Sequence, residues 1–230
     1  MSKKKTKVTF LLDKSNNWFH TYIKKTNFGY KNKYIYKIEE NHKKIKGQDL
    51  VFILGYGKLL SNWFLKKNKL NLVIHESKLP YDRGGAPIHY QVLKNKKKIH
   101  ICLIEAAGKI DSGDIYLIDN FKLNGDELLP ELREAQAYAR LNLIKKFLKK
   151  YPKIDKKKQK RGGSYNRKRN SNDSEINIKK SIKSQFNLLR ICDNERYPAF
   201  FKFKNKKYIL KIFKFYKFIN ENLFIIFCKF

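Results

Sequence analysis

The sequence has few acidic residues, few cysteines and no long apolar run. Its 230 residues contain 20 Asp and Glu against 53 Lys and Arg, so the net charge is +33. The three cysteines are widely separated and form no Cys-x-x-Cys pair: Cys102, Cys192 and Cys228. This spacing argues against a disulfide framework and against a cysteine zinc cluster, and it suits a reducing compartment.

The apolar segments are too short for a membrane span. The basic N-terminus is followed by a short run, 8–12, which is too short for the core of a signal peptide. No stretch approaches the roughly 18 apolar residues that a membrane helix needs. An apolar content of 42% still indicates a folded chain rather than disorder. We therefore expect a folded cytoplasmic protein without membrane insertion.

Short apolar runs alternate with helix-like segments along the first two thirds of the chain. The predicted strands are 8–12, 34–38, 50–54, 72–75, 99–104 and 115–118. The predicted helices are 16–25, 59–65, 86–93 and 127–150. This alternation predicts an α/β fold with a Rossmann-like, open, mostly parallel sheet and helices on both faces. No Gly-x-Gly-x-x-Gly follows the first strand, so a dinucleotide site is not expected.

Composition changes after Pro152, where a polar stretch follows the longest predicted helix. The segments predicted beyond it are a helix at 178–191, a hairpin of 199–203 and 207–213 with its turn at 204–206, and a strand at 220–230. We assign residues 1–152 to a catalytic domain. Residues 153–230 are assigned to a linker and a small C-terminal α+β element, a helix-hairpin subdomain.

The excess of basic residues has two interpretations. Lysine is spread along the whole chain, which favours a compositional background over a nucleic-acid footprint. Residues 145–169 are denser, with 13 basic residues and one acid. That segment could follow phosphates, or it could be a solvated helix end and linker. A nucleic-acid partner is not expected from the charge alone.

His75 is the strongest candidate for chemistry. Apolar residues lead to it at the end of a predicted strand, and the chain then turns through Pro80 and Gly84-Gly85 into the next helix. Open α/β sheets bind ligands beyond the carboxyl ends of their strands. An imidazole there can move a proton near neutral pH. A purely structural histidine is the alternative.

Three motifs around His75 resemble the folate-dependent formyltransferase family. His75 is followed by Ser-x-Leu-Pro at 77–80, by Arg-Gly-x-x-Pro at 83–87 and by Asp-x-Gly-Asp at 111–114. The family includes glycinamide ribonucleotide transformylase, methionyl-tRNA formyltransferase and the sugar N-formyltransferases. The sequences at 75–77, 111–114 and 190–198 look closest to the branch that formylates UDP-linked 4-amino-4,6-dideoxy sugars, such as an altrosamine derivative.

The resemblance implies transfer of a formyl group from N10-formyltetrahydrofolate to the amine of a nucleotide-linked amino sugar. His75 would accept a proton or stabilise the oxyanion, and Asp111, within hydrogen-bond or one-water reach, would orient it. The implied donor site comprises Leu54, Gly55, Tyr56, Gly57, Arg83, Gly84 and Gly85, and the implied acceptor site comprises Glu76 and Ser77. No metal is implied, and a homodimer is left open.

Several of these residues also fit plainer roles. Gly84-Gly85 would let the backbone approach a ligand closely, or would form a turn before a helix. Glu76 would contact the acceptor amine, or would be an exposed charge. Trp18 could stack on a uracil, although core packing is favoured for it. His89, inside a predicted helix, is favoured as a packed surface histidine.

One residue departs from the family pattern. The family has Asn two residues before its histidine, and this chain has Val73. Asn71 would point to the same side of a strand but lie about 13 Å from His75, so it cannot substitute. Valine donates no hydrogen bond to a developing oxyanion, and losing one such donor typically lowers rates ~10²–10³-fold. Either another donor acts here, or His75 and backbone amides suffice.

Two rival functions stay open. Methionyl-tRNA formyltransferase fits the basic charge and the related tail, although 230 residues is short for an enzyme with a full tRNA-binding barrel. A non-catalytic RNA-binding protein on the same scaffold fits Val73 and the basic segment 145–169.

Overall fold

The computed structural model describes residues 4–14 and 17–215. Its strands are β1 (Thr6–Leu12), β2 (Tyr34–Glu39), β3 (Leu50–Leu54), β4 (Leu70–His75), β5 (Arg83–Gly84), β6 (Lys98–Glu105), β7 (Ile115–Lys122), β8 (Tyr165–Asn166), β9 (Ala199–Phe203) and β10 (Lys206–Leu210). Its helices are α1 (His20–Lys25), α2 (Asn62–Lys66), α3 (Pro87–Leu93), α4 (Leu129–Lys150) and α5 (Ile182–Leu189). Short 3-10 helices occupy Asn17–Phe19, His42–Lys44 and Ser171–Ser174.

A six-stranded sheet has the order β2-β1-β3-β4-β6-β7. The strands β1 to β4 run parallel, whereas β6 is antiparallel to β4 and β7 is antiparallel to β6. Helices pack on both faces, so the predicted Rossmann-like, mostly parallel α/β fold is confirmed. The reversal between β6 and β7 has a simple cause. The residues between them, 106–114, are too few for the crossover that parallel strands need.

Side-chain alternation along the strands creates two apolar layers. Phe52 and its neighbours on the same face pack against Phe147 of α4. Val51 and Ile53 point to the opposite face, where they pack with Phe64 of α2. The buried strands therefore carry apolar side chains on both faces, as expected for parallel strands covered from both sides.

Polar caps make two helices start later than predicted. The segment predicted at 59–65 becomes α2, because Ser61 Oγ accepts a hydrogen bond from the Phe64 N–H at 3.3 Å. The segment predicted at 178–191 becomes α5, which Ser181 caps in the same way. The segment predicted at 16–25 forms a 3-10 helix and then α1, while Asn16 itself lies outside the described residues.

The polar segment after α4 packs against the first part of the chain. β8 pairs in parallel with β5, and Ile115 forms an isolated bridge with Lys157.

Farther along, the hairpin of β9 and β10 turns through Lys204 and Asn205, both at positive φ. β10 therefore starts at Lys206, and the predicted three-residue turn is wrong. The strand predicted at 220–230 lies outside the described residues. The domain boundary at 152/153 stays a prediction.

The cysteines that the structure describes are buried and free. Burial raises the pKa of the Cys102 thiol to about 11, and its Sγ donates to the Ser77 carbonyl. Cys192 is also a buried thiol, and Cys228 lies outside the described residues. Across residues 4–14 and 17–215, no cluster of three or more His, Cys, Asp or Glu could hold a metal ion. In the same residues, no helix has the length and apolar character to cross a membrane.

Phe147→Ala should lower the free energy of unfolding by about 3–5 kcal/mol, because the ring is fully buried and its loss leaves a cavity. The ring makes edge contacts with Phe52 and Tyr116 across the α4–sheet interface. Tyr138→Ala on the same helix is the matched control, since Tyr138 is 55% exposed. Urea unfolding measures both variants, and equal losses would contradict this account of the core.

Candidate active site

A cleft of about 530 Å³ lies at the carboxyl ends of β3 and β4. Among its lining residues are Gly55 after β3, His75 at the end of β4, and Arg140 from α4. This is where open α/β sheets place their ligands, because the strand ends and the loops after them leave a crevice there. The cleft therefore lies where the sequence predicted the site, beyond the strand end that carries His75.

Both ring nitrogens of His75 face oxygen atoms. Nε2 lies 2.9 Å from the Asp82 carbonyl, and Nδ1 lies 3.4 Å from Asp111 Oδ2. The predicted proximity of His75 and Asp111 is confirmed by this distance. A carbonyl oxygen only accepts, so Nε2 carries the hydrogen and Nδ1 is the nitrogen that can gain a proton.

Asp111 reaches His75 through a loop rather than from a parallel strand end. It lies within residues 106–114, after the antiparallel strand β6, and adopts a φ of 50°. Non-glycine residues in this left-handed region are uncommon, although Asp tolerates it better than most. The Gly84 N–H donates to Asp111 Oδ2 at 2.9 Å and so holds the carboxylate beside the imidazole.

Gln159, in the polar segment after α4, forms hydrogen bonds that hold the Asp111 loop in place. Its side-chain amide donates to the carbonyls of Asp111 and Gly113, both at 2.8 Å, and its oxygen accepts from Arg83 Nη2 at 2.7 Å. Arg83 itself is not among the residues that line the cleft. One glutamine therefore connects the β5 segment to the loop that carries Asp111.

Gly84 and Gly85 allow the tail, rather than a ligand, to approach closely. A Cβ on Gly84, where φ is +91°, would lie 2.4 Å from the Asn166 carbonyl oxygen. A Cβ on Gly85 would lie 2.6 Å from the Cα of Lys168. Gly84 lines the cleft and Gly85 does not. The two glycines are needed because β8 and the residues after it pack directly on β5.

One side of the cleft is apolar. Val73 and Leu65 lie there, on the sheet face covered by α2, together with the predicted residues Tyr56, Gly55 and Gly57. The predicted residue Leu54 is not part of the lining, because its side chain alternates to the α4 face and is buried in the core there. Asn71 is also removed from the cleft, since its amide donates to the Leu65 carbonyl at 2.8 Å.

The other side of the cleft is charged. Glu76, 3% exposed, accepts from Arg140 Nε at 2.5 Å, so the interpretation of Glu76 as an exposed charge is wrong. Burial alone would raise the pKa of Glu76, but Arg140, with help from Gln136, outweighs burial and keeps that pKa below its ordinary value. The Arg140 guanidinium also lies over the Trp18 ring, 5.4 Å from its centroid. Arg140 Nη1 is buried without a hydrogen-bond partner among the described residues.

Ser77 is placed away from the cleft. Its side chain is fully buried, and its hydroxyl donates to the Tyr81 carbonyl at 2.8 Å. The turn that begins directly after β4 explains this, because it folds Ser77 inward while Glu76 stays at the wall. Of the two predicted acceptor residues, the structure therefore brings only Glu76 to the cleft.

A polar stripe on α4 was not predicted as part of the site. Arg133, Gln136 and Arg140 recur at spacings of three and four, so they share one helix face, and all three line the cleft. The sequence contained a signal for Arg140, because this residue lies at the helical spacing of the apolar positions of α4. In the structure Arg140 is 5% exposed. Trp18 also lines the cleft, where it contacts Arg133 and Arg140.

The fold and the site define a Rossmann-like α/β protein with a His–Asp pair in the cleft at the carboxyl ends of its parallel strands. The family described as formyl transferase matches residues 1–144. The chain therefore belongs to the formyl transferase family, and the predicted resemblance to folate-dependent formyltransferases is confirmed.

A methionyl-tRNA formyltransferase from Sulfurihydrogenibium sp. (strain YO3AOP1) is 30% identical over 158 residues, which cover 67% of this chain and 50% of that protein. The matches to this and two further methionyl-tRNA formyltransferases cover 36–50% of the length of those proteins.

Two solved structures share the fold. A methionyl-tRNA formyltransferase from Clostridium thermocellum superposes with a TM-score of 0.75 at 20% identity and covers 89% of this chain and 90% of that one. A sugar N-formyltransferase from Shewanella sp FDAARGOS_354 superposes with a TM-score of 0.66 at 13% identity and covers 90% of this chain and 97% of that one.

Gln159→Ala should lower enzyme turnover roughly 10- to 100-fold, because the loop that carries Asp111 would shift relative to His75. Small displacements between groups that act together reduce rates by such factors. The substitution removes three hydrogen bonds that hold the Asp111 loop. Gln185→Ala is the matched control, since Gln185 also bonds backbone atoms, those of Asn177, but lies outside the cleft lining. Steady-state kinetics and thermal melts of both variants separate the effects. If both lose activity only in proportion to lost stability, Gln159 does not position the site.

Proposed function

We propose that this protein transfers a formyl group from N10-formyltetrahydrofolate to the amine of a nucleotide-linked amino sugar. The observation that carries the proposal is the His75–Asp111 pair, with Nδ1 and Oδ2 3.4 Å apart, in a cleft with one apolar and one charged side. Family membership supports the formyl chemistry. The two sides of the cleft support two chemically different substrates.

The apolar side suits the formyl donor. Leu65, Val73 and Ile104 can pack against a flat pterin ring, and the backbone after β3 can bind its polar edge. Lys58 and Lys109 also line the cleft, where they can attract the donor's carboxylates. When bound there, the donor supplies the formyl carbon next to His75.

His75 is the group that handles the proton. The attacking amine must be neutral and loses a proton as its bond to the formyl carbon forms, and Nδ1 of His75 can accept that proton. Asp111 then stabilises the imidazolium, and the Asp82 carbonyl keeps Nε2 protonated throughout. The proton held on His75 is afterwards available to the leaving nitrogen of the donor.

Val73 leaves the oxyanion without the family's asparagine donor. The side chain lines the cleft and cannot donate, and Asn71 is committed elsewhere. We propose that the Nδ1–H of His75, once it has gained the proton, is shared between Asp111 and the developing oxyanion in this chain. That arrangement gives one residue both roles, so its replacement should be unusually damaging.

The charged side suits an acceptor with hydroxyl and phosphate groups. Arg133, Arg140 and Lys168 line it, and Glu76 and Gln136 add hydrogen-bonding atoms beside them. An aromatic wall from Trp18 completes it. Methionyl-tRNA formyltransferase is the second candidate, favoured by curated relatives of that name and by the net charge of +33.

His75→Asn should reduce turnover by at least ~10²-fold, the usual weight of general acid–base catalysis, while the fold is retained. Asparagine keeps polarity but cannot take the proton. His100→Asn is the matched control, because His100 is on β6 and outside the cleft lining. Single-turnover kinetics and circular dichroism provide the two readouts. A near wild-type rate for His75→Asn would reject the proton-handling role.

Formylation of UDP- or dTDP-amino sugars should depend weakly on salt, with a log–log slope of magnitude about 2 or less, because few phosphates are contacted. An assay with N10-formyltetrahydrofolate tests these sugars beside charged initiator tRNA. Formylation of the tRNA, with binding slopes of roughly −5 or steeper, would establish the second candidate instead. RNA binding without formyl transfer to any acceptor would favour the non-catalytic alternative.

A further inference from the structure

A second cavity of about 240 Å³ adjoins the cleft on its charged side. Both cavities share Ala86, His89, Leu129, Arg133 and Lys168 as lining residues. The second cavity lies between the starts of α3 and α4 and the tail, which contributes Arg169, Ser174 and Tyr197. A ligand that fills it can therefore continue into the cleft.

The charge of the second cavity is strongly positive. Arg133, Lys168, Arg169 and Arg196 line it. Asp193 also lines it, but its carboxylate is already paired with Arg133 at 2.8 Å. Arg169 donates to the Asp173 backbone carbonyl at 2.7 Å. Arg167, which pairs with the Asp173 carboxylate, lowers the pKa of that carboxyl group, and the charge of Arg169 also helps to lower it.

Lys168 occupies the junction of the two cavities. Its backbone packs on Gly85, where even a Cβ would lie 2.6 Å from the Lys168 Cα, so the position of the lysine is tightly set. Within residues 4–14 and 17–215, the structure shows no hydrogen bond or ion pair for its ammonium group. Lys168 is exposed, so its ammonium group is available to a ligand that enters either cavity.

His89 is a neutral neighbour of these cations. Burial, followed by the charges of Arg169 and Arg133, lowers the pKa of His89 to about 4. The ring is therefore uncharged near neutral pH and can share a hydrogen bond with a bound anion. The interpretation of His89 as a packed surface histidine did not anticipate its location, because His89 lines both cavities.

We propose that the second cavity binds the diphosphate of the acceptor, with Lys168 and Arg169 as its main cationic contacts. The volume suits a diphosphate and part of a nucleoside, and the shared wall lets the attached sugar reach His75. An extended RNA backbone is a poorer fit, because a cavity of about 240 Å³ bounded by α3, α4 and the tail is too small for an extended strand. The assignment rests on the proposed acceptor and gives the basic segment 145–169 a function at its end.

Calorimetric titration of the full chain with UDP and with uridine tests the site. UDP should bind more tightly than uridine, and Lys168→Gln should weaken UDP about tenfold or more, the effect of losing one charge-assisted hydrogen bond. Lys168→Arg should retain most of the affinity. Lys153→Gln is the matched control, because it removes the same charge from an exposed position outside both cavities.

The outcomes separate this site from the proposed function. Lysine-dependent UDP binding without formyl transfer would support the diphosphate site and reject the function. Formyl transfer to a sugar nucleotide with an acceptor KM unchanged in Lys168→Gln would support the function and reject the site. Equal weakening by Lys153→Gln would show general attraction to a basic chain, and it would also overturn the site.

Discussion

The site depends on how Asp111 is held beside His75. The Gly84 N–H binds the Asp111 carboxylate, and Gln159 ties the Asp111 loop to Arg83. These bonds keep a negative charge 3.4 Å from the imidazole although Asp111 follows an antiparallel strand and has a left-handed backbone. Because Gln159 belongs to the segment after α4, the hydrogen bonds that hold the Asp111 loop are complete only when that segment packs on β5.

The two unlike sides of the cleft follow from the alternation of side chains at one sheet edge. In β4, Val73 and His75 project to the α2 face, whereas Ile74 projects to the α4 face. The α2 face is apolar, and the α4 face carries the buried Glu76–Arg140 pair. The substrates we propose, a donor with a flat ring system and a polar acceptor, would need both environments next to His75.

Much of the scaffold could be predicted from local pattern. All six strands of the main sheet were expected close to where they occur, and the central parallel strands β1, β3 and β4 have the apolar sequences of strands buried on both faces. The closeness of His75 and Asp111 was expected from motif resemblance. Gly84-Gly85 was expected to let a ligand approach or to form a turn, whereas in the structure these glycines let the tail approach. The contribution of Gln159 was not predictable, since its bond to Asp111 spans 48 positions and glutamines in polar segments are usually solvated.

The sequence by itself determined the class of fold, the family and the position of His75 at a strand end, because these depend on local periodicity and on short motifs. Only the tertiary structure decided which side chains line the cleft. It buried Ser77, paired Glu76 with Arg140, and brought Lys168 beside the start of α3. Such contacts join residues distant along the chain, and their energies depend on distance and burial that no local pattern encodes.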